Sequence, residues 1–202
     1  MIALKERKAK MKTNQVKKIL KKYLTVVKDS EYYVAHFDEW TYISDGYSIL
    51  KIKTAKLAEM KEILLPEVGI DKTMQYSHIE KDFVKSAMQA ETFESFLANT
   101  EKESKYILVD TGFTRKTDRK QNLAILKIIL ENKDGNFYLL NEKYFKIAEM
   151  FNSNIHCTDS NIKGCICVDN WDNELKTIEF LALPCRIGDG FFQSLKGIDD
   201  LY

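Results

Sequence analysis

The sequence predicts an α+β protein in which helices are segregated from mostly hairpin-linked antiparallel strands. Three observations carry that prediction. Asn14–Val27 has a strong helical period, the later apolar runs are short and bounded by turn residues, and the order helix, strands, short helix, strands occurs twice. The repetition is one of pattern only, with no residue-level repeat behind it.

The first helix is the clearest element. Thr13 or Asn14 can cap it, and Val16, Ile19, Leu20, Tyr23, Leu24 and Val27 fall on one side of the wheel. Lys17, Lys18, Lys21, Lys22 and Lys28 fill the other side. Lys12 would fall on the apolar side, so the regular helix is expected to begin close to residue 14. Asp29-Ser30 breaks it. Strands are then expected at Tyr32–Phe37, Trp40–Ile43 and Tyr47–Ile52, the last two joined through a tight turn at Ser44-Asp45-Gly46. A short helix over Ala55–Leu65 closes at Pro66, and residues 67–81 hold one or two short strands.

The order then starts again. A helix lies between Asp82 and Asn99, most securely at Thr92–Ala98. Strands follow at Tyr106–Gly112 and Leu123–Asn132, around a basic loop, Thr114–Lys120. Asp134-Gly135 turns the chain into Asn136–Leu140, and Asn141 caps a helix reaching Phe151. Strands at Asn154–Asp159, Gly164–Trp171 and Thr177–Ile187 complete the pattern.

Composition bounds the function class. The chain has 202 residues, 45% hydrophobic and 30% charged, enough to bury a substantial core without disulfides or metals. The formal net charge of +1 conceals an asymmetry. Nine of the first 22 residues are Lys or Arg, against the single acid Glu6. No apolar run approaches the roughly 18 residues needed to span a membrane, and no apolar segment follows the basic leader as in a secretory signal. The expected location is therefore cytoplasmic. Cys157, Cys165, Cys167 and Cys185, all on expected strands, read as reduced core thiols.

Catalytic motifs are scarce. There is no phosphate-binding glycine loop, no His-Glu-x-x-His and no Gly-x-Ser-x-Gly. His36 and Asp38 would lie on one side of a strand, the single arrangement that suits a metal-dependent hydrolase, but no further ligands accompany them. Cys165-x-Cys167 in mid-strand lacks the turn geometry of a zinc knuckle. The expectation is thus a protein that binds, with no catalytic residues, no metal and no cofactor. The basic stretches suit phosphate binding: Lys17, Lys18, Lys21 and Lys22 on the helix, and Arg115, Lys116, Arg119 and Lys120 in the loop. A Lys-rich face that is merely solvated, on a protein-interaction module with no nucleic-acid role, is the competing reading.

Three segments, in order, resemble the sliding clamps of DNA replication, of the bacterial DNA polymerase III beta-subunit type. Ser44-Asp45-Gly46-Tyr47-Ser48-Ile49 resembles the clamp's Thr-Asp-Gly-His-Arg-Leu segment, with Ser48 in place of its Arg. Asn141–Ala148 resembles the short helix that carries a Tyr-Leu pair, and Leu183-Pro184-Cys185-Arg186-Ile187 resembles the terminal Met-Pro-Met-Arg-Leu. The resemblance implies two clamp-like domains, each an antiparallel sheet with two helices packed on one face. They would span 1–85 and 86–188, followed by a tail, 189–202. It implies a client-peptide pocket formed by Gly46, Tyr47, Ile49, Pro184, Arg186 and Ile187. It also implies a DNA-facing role for the helix lysines, and three copies of the chain to complete a six-domain ring.

Overall fold

The computed structural model describes residues 2–63, 65–101, 106–117, 125–132, 137–151, 155–157, 166–168 and 177–185. The fold is α+β, with an antiparallel sheet and several helices. Helix α1 (Ile2–Val27) is followed by strands β1 (Tyr33–Phe37), β2 (Trp40–Ser44) and β3 (Ser48–Lys53) and the short helix α2 (Thr54–Ala58). Strands β4 (Lys72–Ser77) and β5 (Asp82–Lys85) lead to α3 (Glu91–Glu101). Strands β6 (Tyr106–Thr117), β7 (Ile125–Asn132) and β8 (Phe137–Asn141) precede α4 (Glu142–Ala148), which ends in a 3-10 turn, Glu149–Phe151. Strands β9 (Ile155–Cys157), β10 (Ile166–Val168) and β11 (Ile178–Ala182) follow.

The strands form one sheet in the order β5-β4-β1-β2-β3-β11-β10-β9-β6-β7-β8. Its seam is the antiparallel pairing of β3 with β11, in which Ile49 faces Leu181, Leu50 faces Phe180 and Ile52 faces Ile178. Both faces of β3 are covered, so its apolar residues do not alternate with exposed ones. One side chain set, Leu50 and Ile52, enters the main core with Val16, Ile19, Leu20 and Tyr23 of α1 and Tyr144 and Ile147 of α4. The other face carries a second cluster in which Ala35, Tyr42, Ile49 and Leu181 meet Ala90, Phe93 and Leu97. The expected domain limit at 85/86 follows β5 directly. Across it the two segments share the main core and the β3–β11 pairing.

Several expectations need correction. Helix α1 begins at Ile2, so Thr13 and Asn14 lie inside it and cap nothing. The leader is rich in Lys, Ala, Met and Leu, whose helix propensity lets the backbone continue beyond the end of the apolar stripe. Helix α2 spans five residues and gives way to turns closed by Met60 N–H to the Leu57 carbonyl and Ile63 N–H to the Met60 carbonyl. The helix expected somewhere between Asp82 and Asn99 is α3, which contains Thr92–Ala98, while residues 82–85 form a strand paired with β4. Asn141 does cap α4, its side chain accepting from the Lys143 N–H.

Core energetics should follow burial. Phe151 is fully buried against Phe180, whereas Phe96 remains partly exposed on α3. Phe151→Ala should cost about 3–5 kcal/mol and Phe96→Ala under about 1 kcal/mol, read from urea midpoints at constant slope.

Candidate functional site

Asp45 is the point at which distant parts of the chain meet. Gly46, at φ +79°, lets the β2–β3 turn close tightly, a conformation that a Cβ would strain. The turn brings the Asp45 carboxylate inward, where its side chain is 1% exposed. Oδ1 accepts from the Tyr47 N–H at 3.1 Å, the Ser48 N–H at 2.9 Å and the Ser48 hydroxyl at 2.9 Å. Oδ2 accepts from the Tyr144 hydroxyl of α4 at 2.6 Å, and the Lys143 ammonium lies 3.5 Å away. A buried carboxylate is costly unless its lone pairs are filled, and here both oxygens are engaged.

Helix α1 joins the same network. The Tyr23 hydroxyl lies 3.0 Å from Ser48 Oγ and 3.1 Å from the carbonyls of Ile43 and Ser48. Burial, and then the Asp45 charge, hold the Tyr23 phenol well above its ordinary pKa. Burial and the hydrogen bond to Asp45 do the same for Tyr144.

Beyond β11 the chain crosses this turn. The Leu183 N–H donates to the Tyr47 carbonyl at 2.9 Å, and the Cys185 N–H donates to the Leu139 carbonyl of β8 at 2.7 Å. Segment 183–185 thus bonds both to the β3 end of the sheet and to its β8 edge. The three segments that resemble clamp motifs are therefore in direct contact. Tyr47, 67% exposed, and Leu183 present apolar surface beside the half-buried Pro184. No family model, curated protein or solved structure matches the chain.

Of the expected peptide-contacting residues, Gly46, Tyr47, Ile49 and Pro184 fall within the described residues, and Arg186 and Ile187 fall outside them. Gly46, Tyr47 and Pro184 gather at the junction. Ile49 is buried in the second cluster, beside Leu181 on the face that α3 covers. On α1, Lys18, Lys21 and Lys22 are exposed and Lys17 is half-buried. Glu62 reaches Lys17 at 2.7 Å and Lys21 at 3.4 Å, and those two lysines hold its carboxyl below the ordinary range. Arg115 and Lys116 lie in β6, opposite Lys127 and Leu126 of β7, rather than in a loop. Arg119 and Lys120 lie outside the described residues, as do Cys165, the Asp134-Gly135 turn and the tail 189–202.

His36 and Asp38 do not share a strand face. His36 lies in β1 with Nδ1 3.2 Å from the Val68 carbonyl, while Asp38 turns the chain at φ +56° beyond the strand's end. Among the described residues no group of three or more His, Cys, Asp or Glu side chains could hold a metal ion. Nor is any helix among them long and apolar enough to cross a membrane.

Sequence reasoning missed the Tyr23–Asp45–Tyr144 network and Glu62. The network had a signal, because a phenol on the buried stripe of a helix needs a partner for its hydroxyl. Glu62 had none, since its lysines lie some forty residues earlier.

The two phenols make stability alkali-sensitive. Their folded pKa values are raised, so the stabilisation is complete below about pH 10 and is lost as pH rises further. Unfolded tyrosines then release protons that the folded chain retains. Stability should fall by roughly 1.4 kcal/mol per pH unit for each withheld proton. Tyr144→Phe should lessen that slope by up to one proton and cost about 1–3 kcal/mol at neutral pH, measured by urea unfolding from pH 7 to 11.

Proposed function

We propose that the chain is a non-enzymatic, clamp-like, DNA-associated protein, a replication processivity factor or a relative carried on a mobile element. Duplex DNA would lie along the lysine face of α1. Client proteins would dock short peptides on the surface formed by Tyr47, Leu183 and Pro184. The observation that carries this reading is the convergence of the Asp45-Gly46 turn, the start of α4 and the Leu183–Cys185 segment, held by direct hydrogen bonds. If each half of the chain serves as one clamp-like domain, three copies complete a ring of six.

Lysines in a row bind phosphates without reading sequence, displacing condensed counterions as they do so. Lys18 and Lys22 meet that need best, being exposed and not engaged by Glu62. Glu62 opposes it, because its carboxylate offsets charge at Lys17 and Lys21.

Fluorescence anisotropy with duplex DNA across a salt series tests the reading. Affinity should fall steeply with salt, and K18E/K21E/K22E should flatten the log–log slope by roughly 2–3. Glu62→Gln should instead tighten binding by about two- to threefold. DNA affinity that is absent near 50 mM salt, or that ignores all four substitutions, would overturn the DNA role and leave a protein-interaction module. Light scattering checks the ring separately, since a monomer in solution at all concentrations excludes it.

A further inference from the structure

Helix α3 covers the second apolar cluster, on the face of the sheet opposite the main core. Its Phe93 ring stacks on Tyr42 at 6.1 Å between centroids, and Ala90 and Leu97 complete the apolar contact. Phe93 and Leu97 share one side of the helix, and Ala90, in the turn that leads into it, adds to the same apolar side. Glu94, one residue round the wheel from Phe93, accepts from the Tyr42 hydroxyl and pairs with Lys51 at 3.4 Å. Lys51 is itself nearly buried, lies 4.6 Å from the Trp40 ring centre, and has Glu179 of β11 at 3.7 Å.

Ala90, Phe93 and Leu97 are buried, but in a core cluster of their own. That cluster is separate from the one that unites α1, α4 and the sheet. Removing α3 would leave Lys51 still beside Glu179 and Trp40, so no buried charge would be abandoned. The Tyr42 hydroxyl would turn to water. What remains would be an apolar groove of Ala35, Tyr42, Ile49 and Leu181 with a cation at its edge. Ile49 lies two residues after Tyr47 in the chain, so this face would adjoin the exposed junction surface.

We propose that α3 is a built-in competitor for this groove, and that the groove's external partner is an acidic amphipathic helix of the same chemistry. Such a helix carries apolar residues at i, i+3 and i+7 and a carboxylate at i+4, matching Ala90, Phe93, Leu97 and Glu94. Docking in trans requires α3 to lift from the sheet, which keeps the site closed until a partner of that pattern displaces it. The inference rests on the proposed peptide-docking role of this surface.

The probe is a fluorescein-labelled synthetic peptide of residues 88–101, tested against the full chain. It should bind a Phe93→Ala/Leu97→Ala variant about tenfold or more tightly than the unmodified chain, because the competitor is weakened while the groove is intact. A peptide carrying Glu94→Gln should bind the variant several-fold less well. Hydrogen exchange on the unmodified chain supplies a measurement that needs no variant: amides of 91–101 should exchange through local opening, faster than those of 19–27. Exchange of α3 only through global unfolding, or equal peptide affinity for variant and parent, would overturn the proposal. Loss of DNA binding in the salt series would remove the DNA role while leaving a positive peptide result standing.

Discussion

The Asp45 carboxylate is the constraint from which the rest of the structure follows. One oxygen shapes the turn between β2 and β3 through two backbone N–H groups and the Ser48 hydroxyl. The other receives the phenol of Tyr144 from the far end of the chain. Ser48 passes the connection to Tyr23, so α1, the turn and α4 are locked to one buried charge. Such a network is stable only when complete, because a carboxylate stripped of donors in a dry interior loses far more than one hydrogen bond. The same turn exposes Tyr47 and receives segment 183–185, so the element that organises the fold also frames the proposed docking surface.

The sheet divides its labour by face. Alternation along β3 sends Leu50 and Ile52 toward α1 and α4, and Ile49 and Lys51 toward α3. The first face supplies a core drawn from both halves of the chain. Among the described residues the second is covered by α3, whose Glu94 shares Lys51 with Glu179. The two clusters share no buried residue, so the apolar contacts of α3 are distinct from those of the main core. On the solvent side of α1 the balance is electrostatic, with Glu62 tempering two of the lysines that a phosphate backbone would engage.

Local signals in the sequence match the structure where the physics is local. The α1 stripe from Val16 to Val27, the β1–β2–β3 meander with Gly46 at its turn, and the Asn141 cap of α4 each follow from periodicity, turn chemistry or capping. Sequence pattern and structure part company where two local rules compete. The Lys12 mismatch argued for a late helix start, yet favourable propensity carried the helix back to Ile2. Helical spacing suggested a long α2, but after Ala58 the chain leaves the helix in turns.

By itself the sequence determined the α+β class, most of the strand and helix positions, and the basic face of α1. These depend on neighbours three to five residues away, or on alternation within a strand. Only the tertiary structure decided that β3 pairs with β11, that Glu62 meets Lys17 and Lys21, that Tyr144 reaches Asp45 and that α3 lies over Ile49. Each of those contacts joins residues tens of positions apart, and no local period encodes such a meeting. It is set by which apolar faces can be buried together once the chain has closed.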